Sequence, residues 1–108
     1  MTAVDRARVL AALMQHQGAA NGIGARDLAQ ICELSERELR KAISVLIIDD
    51  GTAIAGTPRS GYFVAVTPEE INETVEFHKG RALHELLKAS RLSGTPLLEL
   101  AGQLRLKT

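Results

Sequence analysis

Three cationic side chains, Arg37, Arg40 and Lys41, fall within five residues of one another, in a segment that also holds Ser35, Glu36 and Ser44. On a helix Arg37 and Lys41 stand one turn apart and share a face. An arginine so placed can pair bidentately with the edge of guanine, and a lysine offers a point charge to guanine or phosphate. Glu36 can accept from cytosine N4, or simply serve the positive end of a helix. A fourth cation, Arg59 beside Ser60, sits among Gly56, Pro58 and Gly61 at what should be a hairpin tip, where it suits a phosphate oxygen. This is recognition chemistry, made of hydrogen bonds and charge, with no covalent step.

Residues that often do covalent or metal chemistry take bland roles here. His78 and His84 are six residues apart and point to different helix faces, so they form no ligand pair and no metal site is expected. Cys32, the single cysteine, has no nearby His and reads as a small buried hydrophobe in a reducing compartment. The adjacent acids Asp49-Asp50 and Glu69-Glu70 diverge in direction and serve a turn and a helix start. No glycine-rich phosphate loop, nucleophile elbow or paired-carboxylate arrangement appears. The sequence predicts a protein that is not an enzyme and needs no cofactor.

The elements that must hold Arg37 and its neighbours follow from periodicity and caps. A first helix is predicted from Thr2 or Asp5 to His16, with Val4, Ala7, Leu10, Ala11 and Met14 as its apolar stripe. Residues 17–22 end it. A short second helix, Ala25 to Ile31, turns Leu28, Ala29 and Ile31 inward. Cys32-Glu33-Leu34 leaves room only for a tight turn. Ser35 and Glu38 then have capping-box spacing, and the third helix runs to Ile48 with Leu39, Ile43, Leu46 and Ile47 buried. Asp49-Asp50-Gly51 stops it.

Strands are predicted at Thr52–Ala55 and Tyr62–Val66, joined through residues 56–61. Thr67-Pro68-Glu69-Glu70 is a helix start with cap, first-turn proline and second capping box. The fourth helix is expected to reach Ser90, with Ile71, Val75, Ala82, Leu86 and Ala89 in one stripe and Leu83 and Leu87 beside it. Gly80 lies at its middle, where a bend is expected. Thr95-Pro96 opens a last helix to Leu106 that carries Leu97, Leu100, Ala101 and Leu104.

Helix, helix, three-residue turn, capped helix and hairpin is the order of a winged helix-turn-helix. Gly24 to Val66 resembles the winged-helix domains of the biotin-operon-repressor kind, helix-turn-helix type 11. The likeness lies in Ala25-Arg26-Asp27-Leu28-Ala29, in Leu34-Ser35-Glu36-Arg37-Glu38-Leu39-Arg40-Lys41-Ala42-Ile43 and in Ser60-Gly61-Tyr62-Phe63-Val64. It implies that Ser35, Glu36, Arg37, Arg40 and Lys41 face DNA, with Arg59 and Ser60 at the tip of the wing. Thr67 to Leu92 is similar to the helical tail of small phage and prophage helix-turn-helix proteins. No ligase domain follows, so the catalytic activity of the biotin-repressor proteins is not implied.

At 108 residues the chain suits one modest core, and its near lack of aromatics suits helices. No apolar run suggests a signal peptide or a membrane span, so a cytoplasmic protein is expected. The net charge of zero hides segregation. Glu69, Glu70, Glu73 and Glu76 form an acidic block. Lys79, Arg81, Lys88, Arg91, Arg105 and Lys107 follow against Glu85 and Glu99 alone.

The expected fold is mainly α with a small β-hairpin, a winged helix-turn-helix over residues 1–66 and a helical extension over 67–108. The expected function is sequence-specific binding of double-stranded DNA by a phage or mobile-element type transcriptional regulator. Helix 35–48 would enter the major groove, with the wing tip, 56–61, on the backbone. The fourth helix either folds back on the first or pairs with a second copy. A homodimer through Ile71, Val75, Leu83, Leu86 and Leu87 is favoured, since it would offset a weak charge footprint. The competing expectation is a winged-helix adaptor that binds a protein partner in a replication or transcription assembly.

Overall fold

The computed structural model describes residues 2–104, which form five α-helices and a two-stranded antiparallel sheet. Two compact units divide the chain, one ending at Thr74 and the other beginning at Val75.

In the first unit α1 spans Ala3–Leu13, and the Thr2 hydroxyl caps it by accepting from the Asp5 amide at 3.0 Å. The helix ends before His16. The amides of Gln15 and His16 reach back only to Ala12 and Leu13, and Gly18, at φ 85°, redirects the chain into a single 3₁₀ turn at Ala19–Asn21. The buried face of α1 is also not the expected one. Val9 and Leu13 are fully buried, with Leu10 and Ala12 beside them, whereas Val4 is 64% exposed and Ala7, Ala11 and Met14 also face out. Apolar residues ring this helix almost completely, so periodicity alone does not choose a face; packing against the rest of the core does.

The second helix, α2, spans Ala25–Ile31 and buries Leu28 and Ala29. Ile31, expected inside, is 59% exposed. The next residue, Cys32, takes the inward position as the chain leaves the helix. Glu33 adopts φ 57°, and the Leu34 amide returns to the Ala29 carbonyl at 2.9 Å, which completes the short turn. Helix α3, Glu36–Ile48, buries Leu39, Ala42, Ile43 and Leu46, while Ile47 is half-buried. Leu39 has no exposed surface, and burying a leucine is worth about 1.5–3 kcal/mol.

Both strands are offset from their expected bounds. β1 is Ile54–Thr57 and β2 is Gly61–Val64, in register Ile54 with Val64 and Thr57 with Gly61. The tip is therefore only Pro58-Arg59-Ser60. Ser60 Oγ accepts from the Thr57 amide at 3.0 Å, which draws both strands further toward the turn. The free edge of β2 is covered by the segment joining α1 to α2. Tyr62 and Ile23 exchange backbone hydrogen bonds at 2.7 and 2.8 Å, and Val64 donates to His16 while accepting from Gly18. Such pairing removes the exposed donors and acceptors of an edge strand.

Helix α4, Pro68–Ser93, runs past the expected Ser90. The unit boundary expected at 66/67 lies further on, because the first turns of α4 are bonded to the first unit. Thr74 Oγ1 accepts from the Gly56 amide at 3.1 Å and is itself buried. In the second unit α4 ends at Gly94, at φ 71°, and α5 spans Leu97–Gln103. Leu86, Leu97 and Leu100 are half-buried there. The expected extension of α5 to Leu106 lies partly outside the described residues.

Candidate nucleic-acid interface

The turn between α2 and α3 sets up the candidate surface. The Ser35 hydroxyl accepts from the Glu38 amide at 3.1 Å, and Glu38 Oε1 accepts from the Ser35 amide at 3.0 Å. This reciprocal cap satisfies two amides that a helix start leaves open. Donation from the Ser35 amide, then the Ser35 hydroxyl, holds the Glu38 carboxyl below the ordinary carboxylate range.

Downstream of the cap, the buried residues fix which way α3 faces. With Leu39, Ala42, Ile43 and Leu46 inward, Glu36, Arg37, Arg40, Lys41 and Ser44 all lie exposed. Arg37, Lys41 and Ser44 follow at steps of four and three, a continuous strip along the outer face. Arg59 is exposed at the wing tip. Ser60 is committed to the turn, since its hydroxyl also lies 3.0 Å from the Gly61 carbonyl. Ser35 likewise spends its side chain on the cap.

Charge pairing sharpens the surface. Among the described residues no ion pair engages Arg26, Arg37, Arg40, Lys41 or Arg59. The acids of the same segment are partly occupied. Arg8 lies 3.8 Å from Glu33, Arg6 lies 3.8 Å from Asp50, and Glu38 serves the cap. Among the described residues all five cations of Gly24–Val66 are free of ion pairs, while three of its six acids have partners or caps. Two of those acids, Asp50 and Glu33, are offset by arginines of α1, while Glu38 keeps its charge at the cap.

Two contributors were not legible as site residues. Arg26, exposed on the first turn of α2, adds a cation on the helix that precedes the turn; its only signal was its place in the Ala25–Ala29 motif. Arg8 acts from α1, donating to the Cys32 carbonyl at 3.1 Å and facing Glu33, which steadies the turn. Cys32 is fully buried there, and desolvation pushes its thiol up, so it is poorly suited to nucleophilic or redox work.

The residues expected to pair two copies are placed less uniformly. Ile71 is exposed in the first unit; in the second, Val75, Leu83 and Leu87 are exposed and Leu86 is half-buried. Among the described residues no group of His, Cys, Asp and Glu has the makings of a metal site, and no helix is long and apolar enough to cross a membrane. Comparison with known proteins gives no matching family model, no matching curated protein and no matching solved structure.

Proposed function

We propose that this chain is a small sequence-specific DNA-binding protein, a cytoplasmic transcriptional regulator without catalytic chemistry. The observation that carries the reading is the outer face of α3, where Arg37, Arg40 and Lys41 stand exposed behind a capped N-terminus and, among the described residues, are in no ion pair. A major groove admits one such helix. Arginine to guanine is its commonest specific contact, and residues in the first turns of the helix meet the base edges. Arg59 on the wing and Arg26 on α2 supply phosphate contacts that set register.

A homodimer through the apolar residues of α4 doubles the contact and matches a two-fold operator. The test is selection of sites from a random duplex library, followed by binding of wild-type and Arg37→Ala proteins at matched salt. Enrichment of a motif that the variant binds more weakly supports the reading; equal binding by both proteins overturns it.

One observation favours an adaptor instead. Residues 1–74 carry seven Lys and Arg against ten Asp and Glu, an acidic balance for a unit that must approach phosphate. An adaptor would show no duplex binding even at low salt.

A further inference from the structure

The acidic balance of the winged unit is reversed in the second unit, where residues 75–108 carry six Lys and Arg against three Asp and Glu. Within α4 three of these cations, Arg81, Lys88 and Arg91, share one helix face with His84, the four following at steps of three, four and three. All four are exposed. At 1.5 Å per residue the strip is about 15 Å long, enough to follow several phosphates of one DNA strand. Val75 and Leu86 lie on the opposite side of the helix, while Leu87, three residues from His84 and four from Arg91, borders the strip.

Local chemistry shapes this strip. The Arg81 guanidinium stands over the Phe77 ring, 5.8 Å from its centroid. Glu85 is the acid beside it. It accepts from Lys88 Nζ at 2.9 Å, and this bond holds the Glu85 carboxyl below the ordinary range. Lys79, off the strip, faces Glu76 at 3.4 Å. Among the described residues Arg81 and Arg91 are in no ion pair.

We infer that Arg81, Lys88 and Arg91, with His84 between them, form a second phosphate-binding surface that supplies much of the non-specific affinity the acidic winged unit lacks. The inference rests on the DNA-binding reading. Charge complementarity selects the occupant, a run of phosphate oxygens on duplex DNA. Covalent linkage to the winged unit makes the second contact intramolecular, so weak individual ion contacts add usefully to binding. Because it reads charge alone, the strip strengthens binding to every sequence without changing preference among them.

The test is a salt titration of the full chain on its selected duplex and on a scrambled one. The triple variant Arg81→Gln, Lys88→Gln and Arg91→Gln keeps good helix formers at exposed positions. Each phosphate contact contributes about 0.9 to the slope of log affinity against log salt. The variant is therefore expected to bind both duplexes more weakly and to lose about two to three units of slope, with the ratio between duplexes kept. Glu85→Gln, which releases Lys88, is expected to tighten binding to both duplexes at low salt and serves as a gain-of-affinity control. Wild-type affinity and slope in the triple variant overturn the strip while leaving the winged-helix reading intact, as does an unchanged affinity in Glu85→Gln. Failure of the wild-type chain to bind any duplex at low salt overturns both.

Discussion

The Glu70 carboxylate accepts a hydrogen bond from the Ala19 amide at 2.6 Å, across 51 residues of chain. Its other oxygen accepts from the amides of Val66 at 2.8 Å and Thr67 at 3.3 Å. One side chain thus caps α4 and ties its start to the 3₁₀ turn that lies between α1 and α2. The same α1–α2 connection pairs with β2, so Glu70 joins the wing, the α1–α2 link and α4 at a single point.

These amides, Val66 first and Ala19 second, hold the Glu70 carboxyl below the ordinary glutamate range. A depressed folded pKa means that Glu70 contributes stability above its unfolded value, about 4.3, and loses it as pH falls through the folded one. Glu70→Gln is expected to lower stability at neutral pH and to flatten the acid limb of a stability profile. Urea titrations from pH 7 to pH 3 measure this; an acid limb identical to wild type would show that the bonds do not matter.

Ser35→Ala removes the cap that starts α3. Such substitutions cost about 1 kcal/mol, within a range of roughly 0.5–2. In a domain of this size that lowers the thermal midpoint by roughly 4–8 °C. Differential scanning calorimetry reads the shift, and no change would mean that the reciprocal bonds with Glu38 are not formed in solution.

Glycines separate by what surrounds them. A Cβ on Gly22 would collide with the Ser60 carbonyl, and one on Gly61 would lie 2.6 Å from the Ile23 carbonyl at φ 73°. Here the α1–α2 link and the wing come too close for any side chain. Gly22→Ala and Gly61→Ala should each destabilise by more than about 2 kcal/mol, through steric and backbone strain. Gly80, in the middle of α4, has open space around it. Gly80→Ala should stabilise the helix by about 1 kcal/mol. Helix content and urea midpoints of the three variants test the contrast, which fails if all three behave alike.

Legibility in the sequence tracked the range of the interaction. The Ser35–Glu38 and Thr67–Glu70 boxes were readable because each closes within one turn, and both are formed. The mainly helical fold with its hairpin followed from such local signals. The buried face of α1 did not, since Val9 and Leu13 compete with Val4, Ala7 and Ala11 on an almost uniformly apolar helix. The strand offset depends on the Thr57–Ser60 bonds at the tip, which turn-residue preference does not specify. The Glu70–Ala19 link and the Gly22–Ser60 approach join distant segments, and nothing local announces them. At the candidate interface the exposed cations were readable, whereas the occupation of Glu33 by Arg8 and of Asp50 by Arg6 was not.

Arg37→Ala and Arg40→Ala should each leave the fold intact, because both side chains are exposed and unpaired among the described residues. Each is expected to weaken specific binding by about 1–3 kcal/mol per lost base contact and to relax sequence preference at one position. Competition binding against single-base operator variants measures it. Loss that is uniform across all sequences would reassign that arginine to phosphate.

The most direct measurement is site selection by the full chain from a random duplex library, with a salt titration on the enriched sequence. A dimer reading DNA through α3 should select a palindrome with half-sites one helical turn apart and show an affinity that falls steeply as salt rises. No enriched motif, together with no binding at low salt, would contradict DNA binding by the outer face of α3.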